Sequence, residues 1–241
     1  YLEGRIAIIT GGFTGIGKAI AIALAERGAI IAVGARRQPE AAIEELEATC
    51  GALFYQKLDV ADVDSVAAFV DALASRHGHA DILVNSAGVT AHELVCGHDE
   101  QSWLDVIDIN LSGPFRMIRA CLPKMIERRW GRIINIGSTA ATTAVADLAG
   151  YCASKSGLLG LNRDVVLEGA AHGIISVVIS PTWVQTELFD NSMAIQARRA
   201  GHSVDEEIGK LVAKQPQKRL VQPLELGALA AFLCRDEALG I

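Results

Sequence analysis

No run of uncharged apolar residues in this chain reaches the roughly 18 that a membrane-crossing helix needs, and no signal-peptide pattern opens it. A membrane span is therefore not expected. Paired cysteines are missing too: the five present (Cys50, Cys96, Cys121, Cys152, Cys234) form no C-x-x-C pair, which argues against a disulfide framework or zinc site. Buried thiols in a reducing, cytoplasmic setting are expected instead, and no metal. Basic residues are in deficit, with 22 Lys and Arg against 28 Asp and Glu, and like-charge blocks stay as short as Arg36-Arg37 and Arg128-Arg129. A net charge of -6 argues against a nucleic-acid footprint, so no such partner is expected. There is also no Pro/Gly/Ser-rich linker and no internal repeat, so all 241 residues are expected to form one domain.

What is present is an alternation. Short apolar runs, beginning with Ile6-Ala7-Ile8-Ile9 and Ile30-Ile31-Ala32-Val33, are each followed by an amphipathic stretch; the same holds after Leu53-Phe54-Tyr55, Ile82-Leu83-Val84, Ile133 to Ile136 and Ile174 to Ile179. Continuous β-branched runs rather than polar/apolar alternation indicate strands covered on both faces. The fold class is thus α/β, a doubly wound parallel sheet of the Rossmann kind. The least regular segment, residues 186–219, is polar and broken by Gly201 and Pro216, with helical patterns around 193–200 and 204–213. It is expected to be a helical lid inserted over the site.

Ligands in such sheets bind beyond the carboxyl ends of the strands, and the polar motifs cluster there. Thr10-Gly11-Gly12-Phe13-Thr14-Gly15-Ile16-Gly17 follows the first strand and opens the first helix. Glycines there permit positive φ and close backbone approach, and the helix N-terminus favours an anion, which suits a pyrophosphate. A tight strand-to-helix turn is the plainer alternative. The second strand ends in Gly34-Ala35-Arg36-Arg37, with no carboxylate at that point for a ribose 2′-hydroxyl and guanidinium groups for a 2′-phosphate, so NADP(H) is favoured over NAD(H). Asp59, in Leu58-Asp59-Val60, is suited either to an adenine amino group or to capping the next helix.

Tyr151-Cys152-Ala153-Ser154-Lys155 places a phenol and an ammonium four residues apart, on one helix face if residues 151–170 are helical. A free phenol has a pKa of about 10. A nearby ammonium favours the phenolate, and about 4 kcal/mol of differential interaction would bring it near neutrality. Ser138 precedes this pair at a strand end and could join it through a hydroxyl hydrogen bond. A surface tyrosine beside a solvated lysine is the plain alternative for the pentapeptide alone.

Together these residues resemble the short-chain dehydrogenase/reductase family. TGGFTGIG at 10–17 is similar to its T-G-x-x-x-G-x-G turn, Asn85-Ser86-Ala87-Gly88 to its N-x-A-G, and Asn110, Ser138, Tyr151 and Lys155 to its catalytic tetrad, in order and spacing. Pro181 to Thr186 resembles its nicotinamide-side loop, with Thr182 where the family has glycine. The resemblance implies hydride transfer between NADP(H) and a ketone or secondary alcohol. It implies Tyr151 as acid/base, Lys155 on the nicotinamide ribose, Ser138 on the substrate oxygen and Asn110 anchoring a proton relay. It implies cofactor contacts from Gly11, Thr14, Gly15, Ile16, Gly17, Arg36, Arg37, Asp59, Val60, Asn85, Ala87, Gly88, Pro181, Val184 and Thr186. Thr14 stands where NADP-users in the family often carry a basic residue, so the phosphate preference rests on Arg36 and Arg37. Assembly as a homotetramer through the helices of 110–125 and 151–168 is a further implication, and relatives continue beyond the point matching Ile241 through a last strand and tail.

The substrate pocket is expected from 139–150, 89–94, Trp183, Leu188, Phe189 and Met193, mostly apolar or small. A 3-oxoacyl or similar apolar ketone ranks first, a sugar, polyol or cyclic alcohol second; a non-catalytic dinucleotide sensor is the alternative of another class. Arg128-Arg129 could face an acidic carrier protein, but His172 occupies the other position where the family places a basic residue for that partner.

Overall fold

The computed structural model describes residues 1–51 and 53–241. Strands and helices alternate as β1 (Ile6–Thr10), α1 (Gly15–Ala25), β2 (Ile30–Ala35), α2 (Glu40–Cys50), β3 (Leu53–Lys57), α3 (Val63–Arg76), β4 (Ile82–Asn85), α4 (Glu100–Ile107), α5 (Gly113–Arg128), β5 (Gly131–Ile136), α6 (Ala149–Gly169) and β6 (Ile174–Ile179). Three further helices, α7 (Glu187–Ala200), α8 (Val204–Lys214) and α9 (Pro223–Leu233), complete the described chain. The six strands form one parallel sheet in the order β3-β2-β1-β4-β5-β6. All six apolar runs became strands, and the strand order reverses between β1 and β4, which opens a crevice there.

Why the runs are continuous is visible in β1. Ala7 and Ile9 pack into one core with α1, α2 and α9, while Ile6 and Ile8 pack into a second core with α3 and α5. Successive side chains point to opposite faces, so a strand covered twice must be apolar at every position. Each large aliphatic or aromatic side chain so buried, Ile20 and Leu24 on one face or Phe69 and Met117 on the other, contributes about 1.5–3 kcal/mol relative to exposure. On the first face α9 rides directly on α1: a Cβ at Gly227 would lie 2.7 Å from the Ala19 carbonyl oxygen. Any side chain there would push the helices apart.

Cys121 and Cys234 are buried thiols, pushed up to about 12 by that burial. Such thiols are inert. Cys96 departs from the expectation of buried thiols and is exposed in the loop after β4. Among the described residues, no helix is long and apolar enough to cross a membrane, and no group of three His, Cys, Asp or Glu is placed to hold a metal.

Both helical patterns within 186–219 are present. The first begins at Glu187 rather than near Met193, because the Thr186 hydroxyl accepts from Phe189 N and starts the helix early. The second carries a reciprocal cap between Ser203 and Glu206. The segment 181–186 is held by Val221, whose N–H donates to Trp183 O at 3.0 Å and whose carbonyl accepts from Gln185 N at 3.0 Å.

Candidate active site

Two clefts open at the carboxyl ends of the strands, and Gly88 lines both. The first, about 330 Å³, lies over β1, β2 and β3 and is lined by Gly11, Thr14, Arg36, Arg37, Asp59, Val60 and Ala87. Gly11 has φ 68, and a Cβ on it would stand 3.1 Å from the Ala87 Cα, so the glycine turn touches the loop after β4 as backbone on backbone. At Gly17 a Cβ would meet the Gly11 carbonyl oxygen at 2.5 Å, so a side chain there would force the turn off the helix end. Thr14 precedes α1 with extended backbone and makes no side-chain cap, which leaves the N–H groups of the first turn facing the cleft. These features fit a pyrophosphate.

Asp59 lines the same cleft and does not cap α3. Its carboxylate accepts from Ala61 N at 3.0 Å, while Asp62 caps the helix by accepting from Asp64 N. Arg36 and Arg37 are exposed at the cleft edge. The second strand end carries no carboxylate of its own, but Glu187, the first residue of α7, also lines the cleft and stands 3.9 Å from the Arg37 guanidinium. The second strand end shows no sign of that partner; the chain brings it back from far along the sequence.

The second cleft, about 660 Å³, is lined by Ile16, Ser138, Tyr151, Lys155, Pro181, Val184 and Thr186, with walls from residues 143–146, Leu148, Trp183, Leu188 and Phe189. Tyr151 and Lys155 lie one turn apart on α6, as the spacing requires. Ser138 ends the β5 turn, and its hydroxyl oxygen accepts from Ala140 N at 3.1 Å. Thr186 packs against Gly15, whose Cβ would come within 3.0 Å of its methyl group, so the two clefts close against each other. Trp183 leans on Phe189 at 6.0 Å between ring centres. Several pocket expectations fail. Met193 is fully buried behind the wall with Ser192 on the lining. Of 89–94 only Thr90 lines this cleft, Val89 belonging to the first cleft and His92, Glu93 and Leu94 to a separate cavity. Of 139–150 the wall omits Ala141, Thr142, Asp147, Ala149 and Gly150, because Asp147 turns to that separate cavity and Ala149 and Gly150 begin α6.

Burial governs the titration of the pair. It pushes the Lys155 ammonium down to about 8, and Nζ donates to the Ile136 carbonyl at 2.7 Å. Burial also pushes the Tyr151 phenol above its ordinary value, against the pull of the Ser138 hydroxyl. The expected lowering of the phenol by Lys155 is therefore not met, because the ammonium lies 5.6 Å from the ring centre and is turned to a backbone carbonyl rather than to the phenol oxygen.

Asn110 sits not within a regular helix but in a π-helical turn, Asp108–Ser112, between α4 and α5. Its amide clamps Val89 from both sides, accepting from Val89 N and donating to Val89 O, each at 2.9 Å. The other amide hydrogen goes to the Ser154 hydroxyl at 3.3 Å, which in turn donates to Tyr151 O. Asn85 is buried, donating to Asn135 at 2.8 Å, and is not on a cleft wall. Sequence reasoning missed three supports: Ser154, Asn135 and Thr10, whose hydroxyl accepts from the Ser86 and Ala87 N–H groups at 3.1 Å. Their signal was faint, a hydroxyl or amide inside an otherwise apolar run.

Arg128 and Arg129 are committed elsewhere. Arg128 donates to the His79 and Ala80 carbonyls, and Arg129, the left-handed residue ending α5, donates to Ala171 O. That favours their reading as a helix terminus over a docking patch.

A Rossmann-type crevice that joins a glycine-rich turn to a Ser, Tyr and Lys constellation defines the class of nicotinamide-dependent oxidoreductases. The short chain dehydrogenase family model matches residues 5–196, and the chain belongs to that family. It is an oxidoreductase acting on CH–OH or C=O groups. It is 35% identical to a 3-oxoacyl-(acyl-carrier-protein) reductase of Vibrio cholerae over 98% of this chain and 92% of that protein. To a D-beta-hydroxybutyrate dehydrogenase of Cupriavidus necator it is 37% identical, over 98% and 93%. Among solved structures it is similar to a variant actinorhodin polyketide ketoreductase with NADPH, at TM-score 0.94 and 33% identity over 98% of this chain and 92% of that one.

Proposed function

We propose that this enzyme reduces a neutral, largely apolar ketone, such as a 3-oxoacyl thioester or ester, with NADPH. The observation that carries it is the second cleft: Ser138, Tyr151 and Lys155 share a cavity of about 660 Å³ whose other walls are apolar or small. The ketoreductase solved with NADPH and the 3-oxoacyl reductase relative support the same direction.

The bound nicotinamide supplies a hydride to the carbonyl carbon, and the chain supplies the rest. The glycine turn and α1 N-terminus would hold the pyrophosphate, Asp59 and Val60 would border the adenine, and Pro181, Val184 and Thr186 would flank the nicotinamide side. Arg37 would exchange Glu187 for the 2′-phosphate, a stronger bidentate partner. Ser138 donates to the substrate oxygen, and Tyr151 gives that oxygen its proton. A phenol held high by burial keeps its proton at neutral pH, the protonation state that reduction requires. Lys155, held at a depressed value, would leave the Ile136 carbonyl to bind ribose hydroxyls and resupply the proton that Tyr151 gives up. Residues 186–219 act as the lid within a single domain, and exposed Trp103, Leu104, Phe115 and Leu167 on α4, α5 and α6 support a homotetramer.

The test is loss of NADPH absorbance with a panel of ketones, their esters and free acids, and cyclic ketones, repeated with NADH. Turnover of neutral ketones with NADPH is expected. Oxidation of polyols with NAD⁺ in its place would favour the second reading, and cofactor binding without any turnover would favour a sensor.

A further inference from the structure

Outside the catalytic constellation His92, Asp147 and Arg199 form an ionic junction, with His92 and Asp147 inside and Arg199 reaching in from the surface. The three come from different segments: the loop after β4, the loop between β5 and α6, and the lid helix α7. One carboxylate oxygen of Asp147 lies 3.2 Å from His92 Nδ1 and accepts from Arg199 at 2.5 Å. Arg199 also donates to the His92 carbonyl, and Asp147's own carbonyl accepts from Glu93 N at 2.8 Å. The His92 side chain is 3% exposed and that of Asp147 15%, while that of Arg199 is 51% exposed.

Asp147 adopts φ 61, left-handed backbone that is uncommon for a residue with a side chain. That conformation turns the carboxylate toward His92 and Arg199 while its neighbours Val145, Ala146 and Leu148 line the catalytic cleft. Val145 and Ala146 also line a second cavity, about 720 Å³, bordered by His92, Asp147, Gln196 and Arg199. The junction therefore stands at the seam where pocket wall and lid meet.

We infer that Asp147 is a positioning residue: through Arg199 and His92 it fixes the lid helix and the loop after β4 against the pocket wall, and so sets how tightly the ketone is held. None of the three lines the cofactor cleft or reaches Tyr151 directly. The inference rests on the ketone-reductase reading for its kinetic test, but not for its structural one.

The variants are Asp147→Asn and Arg199→Ala, singly and together, in the full chain. Asparagine keeps the size and the tolerance for left-handed backbone while removing the charge. Each single variant is expected to raise KM for the ketone about tenfold, the loss of one charge-assisted contact, with kcat and NADPH affinity within about twofold. Because both remove the same contact, the double variant should also lie near tenfold rather than about a hundredfold. Hydrogen exchange should quicken in residues 187–200 and 89–98 and stay unchanged in α1. Unchanged KM and unchanged exchange would overturn the inference, as would additive losses or a parallel fall in NADPH affinity. If the wild-type chain reduces no ketone, the reductase reading fails and the exchange comparison still decides the junction.

Discussion

Replacing Asn110 by alanine separates a scaffold from a proton relay. The side chain is fully buried and makes two bonds of 2.9 Å to the backbone of Val89, plus a longer one to Ser154. Each ordinary bond is worth about 1 kcal/mol net, and the Val89 N–H and C=O would be left without their partner. Val89 is only half-buried, so water can recover part of that loss, and the sum comes to about 2–3 kcal/mol. In a chain of this size each kcal/mol moves Tm by about 2–4 °C, so a fall of about 4–12 °C is expected by calorimetry. Asn110→Asp should lose at least as much at neutral pH, because it still accepts from Val89 N but turns a second oxygen, and a buried charge, toward Val89 O. Only Ser154 and one remaining lone pair of the amide oxygen are left for any water. A Tm change below about 2 °C with a large fall in kcat would refute the clamp and leave the relay as the residue's whole use.

Three further outcomes follow from the same structure. Lys155 is held at about 8 by burial against an ordinary value of 10.5, so the folded chain binds that proton more weakly than the unfolded one between those values. Stability should rise with pH across that window; Lys155→Met should raise Tm at pH 7, lose the advantage toward pH 10, and abolish turnover, and a lower Tm at pH 7 would contradict the cost assigned to the buried charge. Arg36→Ala with Arg37→Ala should weaken NADPH binding by about ten- to a hundredfold while leaving NADH within about twofold, measured by titration of nicotinamide fluorescence. Light scattering should give four times the 25.5 kDa chain, and Leu167→Glu should shift it downward; a wild-type monomer would remove the tetramer.

The six strands were legible because burial on both faces forces continuous apolar runs, and β1 shows that rule residue by residue. Tyr151 and Lys155 were legible because a helix converts a spacing of four into one face. Glu187, the link from Ser154 to Asn110 and the Asp147 junction were not, since each joins partners far apart in sequence that only the folded chain brings together. The titration of Tyr151 was misjudged for a related reason: sequence places Lys155 nearby but does not show that its ammonium turns to Ile136 and that burial dominates both groups.

The central claim is that Tyr151 gives the substrate oxygen its proton from a site built to bind NADPH. Tyr151→Phe removes one oxygen atom at the cleft wall and leaves the glycine turn, Arg37 and Asp59 in place. Turnover of the best ketone from the panel, followed by NADPH absorbance, should fall by about 10²–10⁴-fold while NADPH still binds within about threefold of wild type. A variant that keeps a tenth or more of the wild-type rate would contradict the account.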